Sequence, residues 1–592
     1  MLFAIGLAQG YGFGWVEVMV STGTGAVFWS PVGIADGLLS GVLSNLGLTH
    51  YWTLDTLQLI GRLTSILVVL WLMFRGRDDR ITQRMMWAFT ALVVFSPIIQ
   101  PWYLLWLLPL FAITGIRSNW QLKWVAFTVA FFLTFGAADQ LSIHQFLGLD
   151  QQMEMLSLAI SYTCLVVLAL VDPGTRWLIW TGWRHRSLPP IRPGSTPSWE
   201  SLRRDARPPA APARSTPARV QCLTDGSTRR PDPSRPWAPQ RAAGVPDHAR
   251  RQRPEAMDER ISAHPMAHRR TRGPGVPHHA PRPPGLPDDH GRLVGGWIPM
   301  HAAVAVHPAV LPLRTTDEGA ITSAILLVIG ALLLMRSWLR LVQRIDIRGP
   351  QAVPAMRKAL IMWSAPMLLC LPIFSRDVYS YMAQGRVLHA GLNPYESGVS
   401  ELPGWYAEGA DGLWAESPSP YGPLFLLIAQ TVWYATDGSP ELGILAFRAL
   451  SVLGVILMVT YIPKLASAFG ARPAWAIWLC LLNPLSLIVF IPAAHNDPLM
   501  IGLVLASAWY ALRRRRLAAV LLITAAVAVK PIAMVLLPFI VLLALPDTRS
   551  YLLRIREWAF GGGLSGALLI GGDWPSEWAW DGSPPPSPQD PP

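Results

Sequence analysis

Four polar clusters in an otherwise apolar chain are of types that do chemistry. Asp377 stands two or three residues beyond the apolar run 359–374 and is flanked by Arg376, Tyr379 and Tyr381. A carboxylate there is fixed in height above a bilayer yet wet enough to ionise. It suits a general base acting on a substrate whose reactive end lies at a lipid headgroup. The plainer alternative is an aromatic belt with an aspartate capping a helix; the long polar loop after it, closing at Ser419-Pro-Tyr-Gly-Pro423, favours chemistry. His495-Asn-Asp-Pro498 precedes an apolar run, where Asn or Asp as N-cap with Pro behind it is ordinary helix-start chemistry, and His495 is the extra feature. Lys530-Pro531 joins two apolar runs. It is either a snorkelling lysine at a proline break or a cation for a lipid-linked phosphate. The stretch Pro101-Trp-Tyr-Leu-Leu-Trp106 fits an interfacial belt or a platform on which a sugar stacks.

What positions these groups is a series of membrane helices, so the expected fold class is all-α, a polytopic transmembrane bundle. Hydrophobic residues make up 52% of the chain, there are 27 Trp, and the mean hydropathy is +0.33, which excludes an ordinary soluble globule. Before the insert, spans are expected near 54–74, 86–99, 103–113, 124–135 and 156–171, after a weakly apolar stretch at 32–48. After it they fall near 321–335, 359–374, 442–462, 475–491, 499–512, 518–529 and 532–545. Basic clusters fix the inside face: Arg75, Arg77, Arg80 and Arg84; Arg117 with Lys123; Arg336, Arg340, Arg344 and Arg348; and the arginines 513–516. Asp377, the His495–Asp497 loop, Lys530 and the Trp102–Tyr103 loop then share the outside face. The run 424–434 breaks this parity if it crosses fully, so it is re-entrant or one basic cluster misleads.

The net charge of +12 does not mark a nucleic-acid binder. Nearly all of the excess comes from arginine between 176 and 314, a range that includes a stretch (188–293) dense in Arg, Pro and His, without Lys and without periodicity. Such a segment cannot offset its ordering entropy and is expected to be disordered. His268, His278, His279 and His290 are irregularly spaced and lack cysteine partners, so no metal site is expected. Arginine without lysine is what GC-rich coding DNA yields out of frame, which suggests a translated frameshift or an intergenic join. Of four cysteines, Cys164, Cys370 and Cys480 lie in apolar runs and Cys222 in the insert, so no disulfide framework is expected. The opening residues are apolar without a basic n-region; they read as a chain entering mid-helix, with no cleavable signal peptide.

The motifs together resemble the actinobacterial polyprenol-phosphate-mannose-dependent α-(1→6)-mannosyltransferases, membrane enzymes of the GT-C fold. Residues 296–570 resemble that family's N-terminal half through Ser375-Arg-Asp-Val-Tyr-Ser-Tyr381, Gly391-Leu-Asn-Pro-Tyr395, Ser419-Pro-Tyr-Gly-Pro423, Asn483-Pro-Leu485, His495-Asn-Asp497 and Lys530-Pro531. Residues 1–180 resemble its C-terminal half through Gly12-Phe-Gly-Trp15 and Phe95-Ser-Pro-Ile-Ile-Gln-Pro-Trp-Tyr103. The order is reversed, C-half before N-half, with the insert between and a Trp/Ser/Pro-rich tail at 571–592; two neighbouring partial genes joined through out-of-frame sequence would account for it. The resemblance implies transfer of mannose from polyprenyl-phosphate mannose to a mannan or lipomannan hydroxyl at the outer face of the plasma membrane. It implies inversion, no cofactor and no metal, with membrane lipid but not nucleic acid as a further partner. Asp377 would be the base and Lys530 the cation at the leaving phosphate, while His495 and Asp497 orient sugar hydroxyls. Arg376, Tyr379, Tyr381, Asn393, Tyr395, Tyr421, Asn496, Trp102 and Tyr103 complete the candidate substrate site. Two other classes stay open: a lipid-linked sugar transporter and a catalytically inactive fusion product.

Overall fold

The computed structural model describes residues 30–49, 51–75, 80–114, 125–130, 132–133, 298–299, 302–344, 349, 351–545 and 550–570, all within one compact unit. The Gly12–Trp15 loop, the expected span at 156–171, the insert and the tail lie outside them. Among the described residues all regular structure is helical. In chain order the helices are α1 (Pro31–Asn45), α2 (Thr53–Phe74), α3 (Ile81–Val94), α4 (Tyr103–Thr114), α5 (Leu311–Thr315), α6 (Asp317–Arg344), α7 (Ala352–Met367) and α8 (Asp377–His389). Then follow α9 (Pro423–Thr436), α10 (Pro440–Ala468), α11 (Pro473–Leu481), α12 (Pro484–Phe490), α13 (Asp497–Leu512), α14 (Arg516–Val529), α15 (Leu537–Leu543) and α16 (Tyr551–Ile570).

The helices are turned inside out relative to a soluble bundle. On α2 the buried stripe holds Gln58, Gly61 and Ser65, whereas Leu59, Ile60, Leu63, Ile66, Leu67 and Trp71 are exposed. That polarity fits a hydrocarbon solvent. Helices α2 and α10 and the segment 325–342 of α6 are long and apolar enough to cross a membrane, and the pair α11–α12 passes the same test as one broken span. The chain is a membrane protein.

Two expected spans have different local structure. The run read as one span at 475–491 bends by 59° between α11 and α12. Pro484 has no N–H to continue the ladder, and Asn483 serves both ends: its amide donates to the Leu479 carbonyl at 2.7 Å and its Oδ1 accepts from the Ser486 N–H at 2.8 Å. The ambiguous run near 424–434 is α9, which at 14 residues extends about 21 Å and falls short of a bilayer core. It stops at Asp437, in the left-handed region at φ 50°, and Ser439-Pro440 starts α10 at once.

The two membrane regions share one core. Met85, Phe89, Trp106 and Leu108 from the first pack in the same apolar cluster as Phe447, Trp478, Met500 and Phe539 from the second. Arg84 closes the end of α2 by donating to the Leu72 and Met73 carbonyls, each at 2.7 Å, and its guanidinium lies 5.8 Å from the Phe539 ring. Within the second region Trp338 and Trp478 stack at 4.7 Å, each indole N–H donating to the other's backbone carbonyl.

Candidate active site

Asp377 is the first residue of α8, where its charge meets the positive end of the helix dipole. The segment expected to be loop is therefore a 13-residue helix. Nearly all of it, from Val378 through Leu388, is buried, although Ser380, Gln384 and Gly385 interrupt any apolar stripe. Beyond it the chain folds back as short turns, with 3₁₀ segments at Val399–Glu401 and Gly412–Trp414.

Around Asp377 the side chains form a continuous polar chain. His495 Nδ1 lies 3.4 Å from Asp377 Oδ2 and 3.2 Å from Asp497 Oδ2. Two carboxylate oxygens facing one ring nitrogen require that nitrogen to carry the hydrogen. Asp497 Oδ1 then accepts from Lys530 Nζ at 2.8 Å and from the Trp106 indole N–H at 2.5 Å. A buried carboxylate is tolerable when donors satisfy it in this way. Lys530 also reaches Asn496 Oδ1 at 3.5 Å and sits 5.0 Å from the Trp106 ring and 5.8 Å from that of Tyr421.

Burial separates their roles. His495 and Asp497 are fully covered, Lys530 is 12% exposed, and Asp377 is 16% exposed. Asp377 thus opens outward, while the side chains of His495 and Asp497 are covered beneath it. Tyr381 is buried over the same point, its hydroxyl 3.5 Å from Asp377 Oδ2 and 3.4 Å from the Asn496 N–H. The Trp102 ring rests 4.5 Å from the His495 ring, and Tyr103 stacks on Trp106 at 4.1 Å.

The loop candidates form the wall. Asn393 Oδ1 accepts from the Tyr395 N–H at 3.0 Å, and the Tyr395 hydroxyl donates to the Tyr421 carbonyl at 3.2 Å. Burial pushes the Tyr421 phenol far up, and the charges of Asp377 and Asp497 push it further, so it stays a neutral hydroxyl. The Gly422 N–H donates to the Val529 carbonyl at 3.1 Å, and a Cβ on Gly422 would run into the Ala528 carbonyl; this close approach brings Tyr421 over Lys530. Two candidates turn elsewhere. Arg376 donates to the Gly409 and Ala410 carbonyls at 2.9 and 3.1 Å, bracing the loop, and Tyr379 is buried against Gly409. Trp106 belongs to the aromatic stretch 101–106 but not to the individual residues that the resemblance implies; its position, four residues after Trp102 in an aromatic helix start, is the signal for it.

Two family models match this chain. Residues 290–546 match the α-(1→6)-mannopyranosyltransferase N-terminal domain, and residues 30–171 match the MptB C-terminal domain. Over these two stretches the chain is similar to the α-(1→6)-mannopyranosyltransferase family. Its two family domains stand in the reversed order that the motifs indicated. The mannopyranosyltransferase N-terminal domain carries Asp377, His495, Asp497 and Lys530, and the C-terminal domain carries Trp102 and Trp106. α-(1→6)-Mannopyranosyltransferase A of Mycobacterium tuberculosis is 38% identical over 224 residues, covering 38% of this chain and 43% of the relative. The enzyme of the same name from Corynebacterium glutamicum is 33% identical over 231 residues, or 38% and 47% of the two chains. α-(1→6)-Mannopyranosyltransferase B of C. glutamicum is 33% identical over 195 residues, 31% of this chain and 32% of the relative. The chain thus spans less than half the length of the curated relatives it matches. No solved structure matches it.

Proposed function

We propose that this chain is a membrane mannosyltransferase that moves mannose from polyprenyl-phosphate mannose to a hydroxyl of a mannan or lipomannan acceptor, forming an α-(1→6) bond with inversion. The observation that carries the reading is the partly open Asp377 carboxylate, backed by His495, Asp497 and Lys530 at hydrogen-bond distances. Residues of that constellation belong to a family domain whose relatives bear the mannosyltransferase name.

In the reaction the acceptor oxygen attacks the anomeric carbon as its proton passes to Asp377. The new C–O bond forms on one face while the bond to the phosphate oxygen breaks on the other, and the lipid phosphate leaves with the electron pair. A hydroxyl is a poor nucleophile until its proton is removed, which is the work a carboxylate does here. The ring and phenol contacts both fall on Oδ2 of Asp377, so Oδ1 is the oxygen assigned to the acceptor. The leaving phosphate is already anionic and needs charge stabilisation more than a proton. Lys530 is the cation beside the site, and Asp497 fixes its ammonium in place. The site lies at the outer face of the plasma membrane. Helix α13 runs from Asp497 to the basic turn at 513–516, about 24 Å away, and the arginines mark the inside.

The test is mannosyl transfer in membranes containing the chain, with polyprenyl-phosphate mannose and a short mannoside acceptor. Wild-type transfer and a loss of about 10²–10⁴ in the Asp377→Asn variant are expected. Full transfer activity in that variant would remove Asp377 as base; no transfer by properly inserted wild type would sink the mannosyltransferase reading and leave a transporter or a broken member of its family.

A further inference from the structure

We propose that Arg448 is a positioning residue for this site: from inside a membrane helix it grips four backbone carbonyls on the two chain segments that deliver Asp377 and His495. Its effect on rate rests on the mannosyltransferase reading; its effect on the backbone does not.

Arg448 lies in the third turn of α10 and is 3% exposed. Its Nε donates to the Ile491 carbonyl at 3.0 Å and Nη1 to that of Leu368 at 2.6 Å. Its Nη2 donates to the carbonyls of Cys370 at 2.9 Å and Pro492 at 2.8 Å. Leu368 and Cys370 follow the end of α7, on the way to Asp377. Ile491 and Pro492 follow the end of α12, on the way to His495. Carbonyls past a helix end have no N–H partner within that helix and are free to accept from a side chain. Their dipoles solvate the buried guanidinium, and among the described residues no carboxylate pairs with it.

The two segments share a second feature. Phe374 (φ 63°) and Ala494 (φ 55°) are non-glycine residues in the left-handed region, standing respectively one residue before Ser375 and one before His495. Such residues persist only where the surroundings over-determine them. Arg448 fixes the backbone just upstream of both. The face of α10 that carries it continues the grip: Ser451 donates to the Phe490 carbonyl, and a Cβ on Gly454 would run into the Pro498–Leu499 backbone. Residues 448, 451 and 454 thus hold the chain on either side of His495-Asn-Asp497. Only a planar fork reaches both segments at once. A lysine at 448 keeps the charge but meets one carbonyl or two.

Cys370 is a native reporter, since Arg448 holds its carbonyl and its thiol is half-buried. With Cys164, Cys222 and Cys480 replaced, its maleimide labelling rate is measured in wild type, Arg448→Lys and Arg448→Met. A companion background keeps only Cys480, buried in α11. Expected are labelling of Cys370 at least tenfold faster in both variants, with Cys480 unchanged. For transfer, Arg448→Lys is expected to lose at least thirtyfold in kcat with both KM values within threefold. An unchanged Cys370 rate overturns the proposal, as do equal increases at both thiols, which would mean global loosening. Faster Cys370 labelling with wild-type kcat overturns the link to the site. Wild type inactive in transfer would sink the mannosyltransferase reading alone, because the two thiol rates still decide the backbone grip. Where Arg448→Met fails to insert, Arg448→Lys carries the test.

Discussion

Lys530 offers the sharpest separation of a structural role from a chemical one. Its ammonium is 2.8 Å from Asp497 Oδ1, and the two side chains are 12% and 0% exposed. At an effective dielectric of 20 the Coulomb attraction at that distance is about 6 kcal/mol. Desolvating both charges costs several kcal/mol per ion, so the pair contributes little net stability. Breaking it is another matter. Lys530→Met keeps the stem and leaves Asp497 buried and ionised, with only the Trp106 N–H and His495 as donors, at a cost of about 3–5 kcal/mol. Lys530→Met with Asp497→Asn removes both charges, and most of that loss should return. Activity should not return: a cation stabilising the leaving phosphate is worth about 10²–10³ in kcat, and the double variant lacks it. The assay pairs the melting of the monodisperse fraction in detergent with mannosyl transfer in the same preparations. The reasoning fails if Lys530→Met alone melts like wild type, or if the two substitutions destabilise additively. A double variant that recovers both stability and transfer would make Lys530 purely structural.

Two further outcomes follow from the geometry. Trp106→Phe keeps the ring against Tyr103 but removes the N–H given to Asp497, a bond to a charged group worth about 1.5–3 kcal/mol; lower melting and about tenfold slower transfer are expected, measured on the same preparations as above. Asn483→Ala strips the N-cap of α12 and the amide partner of the Leu479 carbonyl, so stability should fall by about 1–2 kcal/mol, read as a lower melting temperature, while kcat per folded molecule holds; an unshifted melt would mean the bend is held by Pro484 alone.

How legible was this in the sequence? The polar groups were, because Asp377, His495, Asp497 and Lys530 are conspicuous where flanking residues are apolar, and basic clusters put them on one face. Their depth was not. Whether His495 meets a sugar or lies beneath Asp377 depends on α10 packing against the start of α13, and the sequence records only a glycine at 454. Helix α8 was hidden for a related reason. It is buried on every side, so it has no amphipathic stripe, and its serines, glutamine and glycine imitate a loop. The α11–α12 bend lies inside an unbroken apolar run, where hydropathy is blind and only Asn483-Pro484 speaks. Arg448 gave no motif at all. Its four partners are backbone carbonyls, which have no residue type to read.

The reversed order of the two family domains is less of an obstacle to one site than it looks. Membrane helices associate through side-to-side packing and interhelical hydrogen bonds, so neighbours in the bundle need not be neighbours in the chain. The entropic cost of a longer connection grows only logarithmically, about 0.6 kcal/mol per doubling. Trp106 and Asp497 meet although 391 positions separate them. What the order cannot relax is the requirement on Asp497, a buried carboxylate whose donors come from both regions. The second region supplies His495 and Lys530; the first supplies the Trp106 N–H and covers His495 with the Trp102 ring. Without the first region Asp497 would lose a donor and His495 its cover, and water would reach the pair that holds Asp377. The first region is therefore part of the same buried polar cluster, wherever in the chain it is encoded.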